Sequence, residues 1–225
     1  MISSSIGSGQ TSHVKAASEK FCSNLSQVIH AAAQPLTVLR FSLDKVRTDR
    51  MNIGELRELA ASSAVEVERV CALFSCLQQF VITESIQPHL VATQLLPLLA
   101  IATDGVNLLF EKDGMFLRLT IPDVCEAVLI DTARTLQALS SVLLTAYGVS
   151  RTNDTVELIA SSSPSAIQVV VRNANSYVDP LSAEASLSMA LAEASIRSQQ
   201  GRFTWSLQPF IAQIDLRKAP AAHCQ

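Results

Sequence analysis

The sequence predicts an α+β protein: a long helical hairpin that forms a dimeric four-helix bundle, followed by an α/β sandwich. Three observations carry this expectation. From His13 to Thr48 apolar residues recur at steps of three and four, with no glycine and one proline. A second run of the same kind follows Asn52. After Glu84 the spacing changes to short alternating segments separated by helical stretches, the pattern of a sheet with helices packed on one face.

In the first helix Phe21, Leu25, Val28, Ala32, Leu36, Leu39, Leu43 and Val46 form one stripe. The segment Arg47–Met51 interrupts it, and Asn52 with Glu55 three residues on forms an asparagine variant of a capping box. The second helix carries Leu56, Ala60, Val67, Val70, Phe74, Leu77 and Val81, widened by Leu59, Leu73 and Phe80. Two helices with such broad apolar faces cannot cover each other alone, so the hairpin is expected to pair with a second copy. Downstream, Ser85–Val91 reads as a strand, Ala92–Thr103 as a helix, and Val106–Lys112 with Met115–Ile121 as a hairpin turning at Asp113-Gly114. Further strands are expected at Ala127–Ile130, Asp154–Ala160, Ile167–Arg172, Arg202–Leu207 and Ile211–Leu216. Helices are expected at Thr132–Tyr147 and Ala183–Ser198. The domain plan is a disordered tail at 1–12, the hairpin at 13–84, the sandwich at 85–217 and a second tail at 218–225.

The chain has 225 residues, 48% of them hydrophobic and 16% charged, with a net charge of −3. That balance lacks the basic footprint of a nucleic-acid binder. The longest apolar run, Leu90–Ala102, is too short to span a bilayer. The first ten residues lack the basic and apolar regions of a secretory signal. The 5 cysteines, Cys22, Cys71, Cys76, Cys125 and Cys224, lack metal-ligand spacing and read as reduced residues of a cytoplasmic protein. Only 7 residues are glycine, and none lies between Gly148 and Gly201. Glycine-rich phosphate cradles are therefore excluded from that stretch.

One residue stands out chemically. In Val28-Ile-His30-Ala-Ala-Ala-Gln-Pro35-Leu36-Thr37, His30 lies about 160° around the helix from Val28 and Ala32, away from the apolar stripe. It can present a ring nitrogen to solvent as a nucleophile. Pro35 removes a helix hydrogen bond near Ala31 and is expected to loosen that turn. Spacing alone is equally met by an ordinary surface histidine beside an incidental proline.

His30-x-x-x-x-Pro35-Leu36 on a long amphipathic helix, followed by a second helix and an α/β domain, resembles the dimerisation and phosphotransfer core of bacterial sensor histidine kinases. Val128–Ala146 resembles the strand and helix that open their ATP-binding domain, and Gln199–Phe203 is similar to the turn into its closing strands. The resemblance implies that His30 accepts phosphate, with Gln27, Ala31, Gln34 and Thr37 available for partner docking or phosphoryl contacts.

The departures from that family are equally informative. Kinases place two asparagines on the nucleotide helix, where this chain has Ser141 and Thr145. Their adenine-reading Asp-x-Gly-x-Gly corresponds to Arg172-Asn173-Ala-Asn175, and their Gly-x-Gly-Leu to Ser186-Leu187-Ser188-Met189. Ala31 stands where active kinases carry an acid beside the histidine. The resemblance thus implies a degenerate kinase: a histidine phosphotransferase that relays phosphate between response-regulator receiver domains, or from a hybrid histidine kinase, without binding ATP. No cofactor of its own is expected, magnesium being supplied by the receiver. The alternative is a non-catalytic dimeric scaffold that binds a receiver or a kinase. An active ATPase is excluded by the missing residues, and a plain coiled-coil dimeriser leaves the sandwich unexplained. His13 and His89 read as solvated side chains, and His223-Cys224 is too isolated for a metal site.

Overall fold

The computed structural model describes residues 8–121, 126–175 and 181–220; of the side chains before Ile29, only that of Ser26 is described. The chain divides into two compact units, Met1–Gln78 and Gln79–Gln225.

The first unit consists of α1 (Ser8–Thr48) and most of α2 (Ile53–Ser85). The helix begins at Ser8, so the expected disordered tail is corrected over residues 8–12; residues 1–7 lie outside the described residues. Past Gly9 there is no further glycine or proline before Pro35, and extending a formed helix backwards costs little per residue. Between the helices, the capping box forms as expected. The Asn52 N–H donates to Glu55 Oε2 at 2.9 Å, and the Glu55 N–H donates to Asn52 Oδ1 at 3.0 Å. Replacing Asn52 with alanine should lower stability by about 1 kcal/mol, read as a lower Tm in the helical circular-dichroism signal.

Within α1, Ala32, Pro35 and Ser42 are buried and Leu39 is half-buried, a narrow stripe of mostly small residues. Of the other described residues of the predicted stripe, Leu36, Leu43 and Val46 are exposed. On α2, Leu73 is buried while Ile53, Leu56, Val67 and Phe74 are exposed.

In the second unit the predicted strand at 85–91 is absent. Helix α2 runs to Ser85, and β1 forms further on, at Val91–Gln94, antiparallel to β3 (Ala127–Ile130). The hairpin expected at Asp113-Gly114 is also corrected, because residues 106–112 belong to one long helix, α3 (Leu95–Lys112). Leu95, Leu98, Leu99, Ala102, Val106 and Phe110 make a continuous buried stripe at helical spacing. Gly105 sits on the open side, where an added Cβ would meet nothing within 4 Å, so it does not mark a break. Asp113-Gly114 instead ends the helix. Gly114 takes φ +67°, its N–H bonds to the Glu111 carbonyl, and the Met115 N–H reaches back to Phe110 at 2.8 Å.

That exit directs β2 (Phe116–Thr120) into a parallel pairing with β4 (Thr155–Ser162). Next come β5 (Ala166–Asn173), β7 (Phe210–Arg217) and β6 (Arg202–Leu207), all antiparallel, giving a mixed sheet in the order β2-β4-β5-β7-β6. Alternate residues Val156, Leu158, Ile167, Val169, Val171, Ala212 and Ile214 are buried. They join one core with Leu139, Val142 and Leu143 of α4 (Thr132–Gly148) and Met189, Ala192 and Ile196 of α5 (Ala183–Ser198). Beside the sheet, Lys218 follows β7 and bridges to β3, its Nζ lying 2.5 Å from Glu126 Oε2. That bond and a second from the Ser162 hydroxyl hold the Glu126 carboxyl below its usual range.

The turn into β6 is tightly packed. A Cβ on Gly201 would lie 2.7 Å from Ile196 Cγ2 and 3.0 Å from the Asp215 carbonyl. Gly201→Ala should therefore destabilise the α+β unit by about 1–3 kcal/mol, measurable as a lower midpoint in urea.

Candidate functional site

His30 lies on an exposed face of α1. Around it, Ala31 is half-buried, Gln34 and Thr37 are exposed, and Pro35 faces inward. The Gln27 side chain lies outside the described residues. Pro35 has no N–H to offer the Ala31 carbonyl one turn back, yet α1 continues through it to Thr48. The Thr37 hydroxyl donates to the Ala33 carbonyl at 2.7 Å, so its proton is already committed to the helix. What this turn presents is an imidazole with small neighbours and Gln34 one turn on.

In the second unit, the positions matched to a nucleotide site are occupied by polar groups, several of which bond within the protein. Thr145 on α4 is buried, and its hydroxyl donates to the Ser141 carbonyl at 2.8 Å. Asn173, at the end of β5, is fully buried. Its Nδ2 donates to Ser150 Oγ at 2.8 Å and to Asp154 Oδ2 at 3.2 Å, while its Oδ1 accepts the Asn175 N–H at 2.9 Å. Ser141, Ser186 and Ser188 are half-buried and Asn175 is exposed. The Ser186 N–H bonds to the Ser182 carbonyl at 2.9 Å within the first turn of α5, and Leu187 and Met189 beside it are buried. No carboxylate stands at the Asn173 position, and its amide is spent on the protein itself.

A polar cluster that the sequence reading passed over joins the start of α4 to the end of α2. Asp131 caps α4, its Oδ1 accepting the Arg134 N–H at 3.2 Å and its Oδ2 accepting the His89 N–H at 3.0 Å. The nearly buried Arg134 guanidinium donates to the carbonyls of Thr83, at 3.1 Å, and Ile86, at 2.6 Å, and to Ser198 Oγ at 2.9 Å. Gln199, also buried, accepts the Asp131 N–H and the Thr135 hydroxyl through Oε1. The one local signal was the Asp-x-x-Arg spacing at the start of α4; the partners lie 42 to 68 positions away. Among the described residues no group of three or more His, Cys, Asp or Glu side chains is placed to hold a metal ion. No helix among them is long and apolar enough to cross a membrane.

A pair of long helices followed by a mixed sheet with helices packed on it is the architecture of histidine kinases, and the chain has that histidine-kinase-like fold. It is similar to the Acinetobacter baumannii histidine kinase AdeS, with a TM-score of 0.69 and 15% identity over 85% of this chain and 98% of that one. It is similar also to histidine kinase ThkA in complex with the response regulator TrrA, with a TM-score of 0.70 and 12% identity over 87% of this chain and 61% of that one. A histidine kinase from Burkholderia phymatum aligns with a TM-score of 0.52 and 18% identity over 87% of this chain and 98% of that one. No family model and no curated protein matches the sequence.

Proposed function

We propose that the chain is a histidine phosphotransfer protein of a two-component phosphorelay, carrying phosphate on His30 between receiver domains without using ATP. The observation that carries this reading is the contrast between its two sites: an exposed imidazole on α1, and nucleotide-matched positions whose buried polar groups bond internally. The complex of ThkA with TrrA supports a response regulator as the partner.

In the forward step, the unprotonated ring nitrogen of His30 attacks the phosphorus of a receiver's aspartyl phosphate. The P–N bond forms as the acyl P–O bond breaks; the aspartate leaves as carboxylate, and the ring's surplus proton passes to water. The reverse step returns phosphate to a second receiver's carboxylate. Magnesium belongs to the receiver's acyl-phosphate site, so this chain contributes position and exposure. The small side chains of Ala31 and Ala33 leave room for a receiver to approach.

A second copy is expected against the hairpin. Ile29, Leu36 and Leu43 recur at heptad spacing on α1 and are 63%, 49% and 70% exposed, a column beside the narrow buried stripe. Pairing two hairpins into a four-helix bundle covers it.

The test is transfer from a receiver labelled with radioactive phosphate. Label should appear on the chain in a base-stable, acid-labile form and move on to a second receiver, whereas labelled ATP alone should give none. Absence of transfer from a panel of receivers, or labelling by ATP, overturns the proposal. The scaffold reading is favoured by one observation, that Ala31 supplies no acid next to His30. It expects receiver binding without any transfer.

A further inference from the structure

We infer that the β2 edge of the core sheet receives an extended, acidic and apolar segment of a partner protein by strand addition. Strand β2 ends the sheet order, with β4 on one side and no strand on the other among the described residues. The Phe116 N–H bonds to the Asp154 carbonyl at 2.9 Å. Backbone groups alternate in direction along a strand, so Phe116, Arg118 and Thr120 bond toward β4. Leu117 and Leu119 then point their N–H and C=O groups outward, as a template for another strand.

The side chains define what that strand should carry. Sheet edges are commonly blunted by charge, proline or a bulge, but β2 carries exposed apolar residues, Phe116 at 59% and Leu119 at 38%. A cleft of about 620 Å³ runs along Phe116, Leu117, Arg118, Leu119 and Thr155. The single charge on the edge is Arg118, whose side chain is 68% exposed. Its neighbour Glu157 is held by Arg172 at 2.7 Å, leaving Arg118 at 3.8 Å from that carboxylate. Two guanidinium groups therefore share one carboxylate, and the looser one lies at the edge. An incoming strand gains from a carboxylate opposite Arg118 and apolar side chains beside Phe116 and Leu119. A second copy of β2 fits poorly, because antiparallel pairing centred on this strand sets Arg118 against Arg118.

The test uses the full chain and three fluorescein-labelled peptides of alternating valine and threonine. One has a central glutamate, one a central lysine, and the third is the glutamate peptide methylated on alternate backbone nitrogens. Fluorescence anisotropy should show the glutamate peptide binding about fivefold more tightly than the lysine peptide, and the methylated one not saturating. Arg118→Glu should reverse the order of the two charged peptides. Leu119→Pro removes an outward N–H and the exposed leucine side chain but no bond to β4, so it should abolish binding while the circular-dichroism spectrum is unchanged. If Leu119→Pro proves unfolded, the Arg118→Glu reversal decides alone. Equal binding of the methylated peptide, a charge preference indifferent to Arg118, or full binding by folded Leu119→Pro overturns the inference. So does a fall in oligomeric state on Leu119→Pro in sedimentation, which assigns the edge to a second copy.

Discussion

Substituting His30 with alanine is expected to leave the chain folded and to abolish the phosphate transfer proposed for it. The imidazole is exposed on α1, so its loss opens no cavity. Alanine is the better helix former, and the variant should match or exceed the parent's stability by a few tenths of a kcal/mol. Transfer, by contrast, should fall to background, because no other described side chain of that turn offers a comparable nucleophile: Gln34 is an amide and Thr37 a hydroxyl bonded to its own helix. The paired readouts are the thermal melt, expected unchanged, and phosphohistidine counts, expected absent. Transfer that persists in His30→Ala removes this residue from the proposed relay. Receiver binding that persists without transfer in the parent chain selects the scaffold.

Arg134→Met should be the most damaging single substitution in the α+β unit, costing about 3–5 kcal/mol. Methionine approximates the aliphatic stem but supplies no donor. The Thr83 and Ile86 carbonyls and the Ser198 hydroxyl lose their guanidinium partner, and Asp131, 3.7 Å from Arg134 Nε, loses its compensating charge. Arg134→Lys should recover part of the loss, since one ammonium cannot span the same acceptors. Arg197→Ala is the control. Arg197 also reaches α2, bonding to Glu84 at 3.2 Å, but the two side chains are 46% and 30% exposed. Its removal should cost no more than about 1 kcal/mol. Urea midpoints for the three variants test the order, and equal effects of Arg134→Met and Arg197→Ala would contradict it.

How far the sequence was legible follows from the range of the interactions involved. The Asn52–Glu55 box, α5 and β6 depend on residues a few positions apart, and their bounds were readable. The exposure of His30 followed from helical phase alone. Residues 106–112 read as a strand because Val106, Leu108 and Phe110 also satisfy a two-residue alternation, and Asp-Gly is a strong hairpin signal. What decides for helix is the stripe shared with Leu95, Leu99 and Ala102, together with a glycine that happens to face outward. At the nucleotide-matched positions the residue types were legible, but the bonds from Asn173 to Ser150 and Asp154 were not. They cross 19 to 23 positions and need the fold to bring them together. Arg134 was hidden for the same reason, since nothing local marks an arginine as buried.

The Asn173 contacts bear on what this chain can become. An acid introduced there by one codon change would face Asp154, whose carboxylate now takes the Asn173 amide at 3.2 Å. Two carboxylates at that range cannot both stay ionised in a buried setting, so one must bind a proton or the strand end must open. An aspartate at position 173 is therefore accommodated only if Asp154 changes first or together with it. The single steps lead downhill in stability before any new capacity appears.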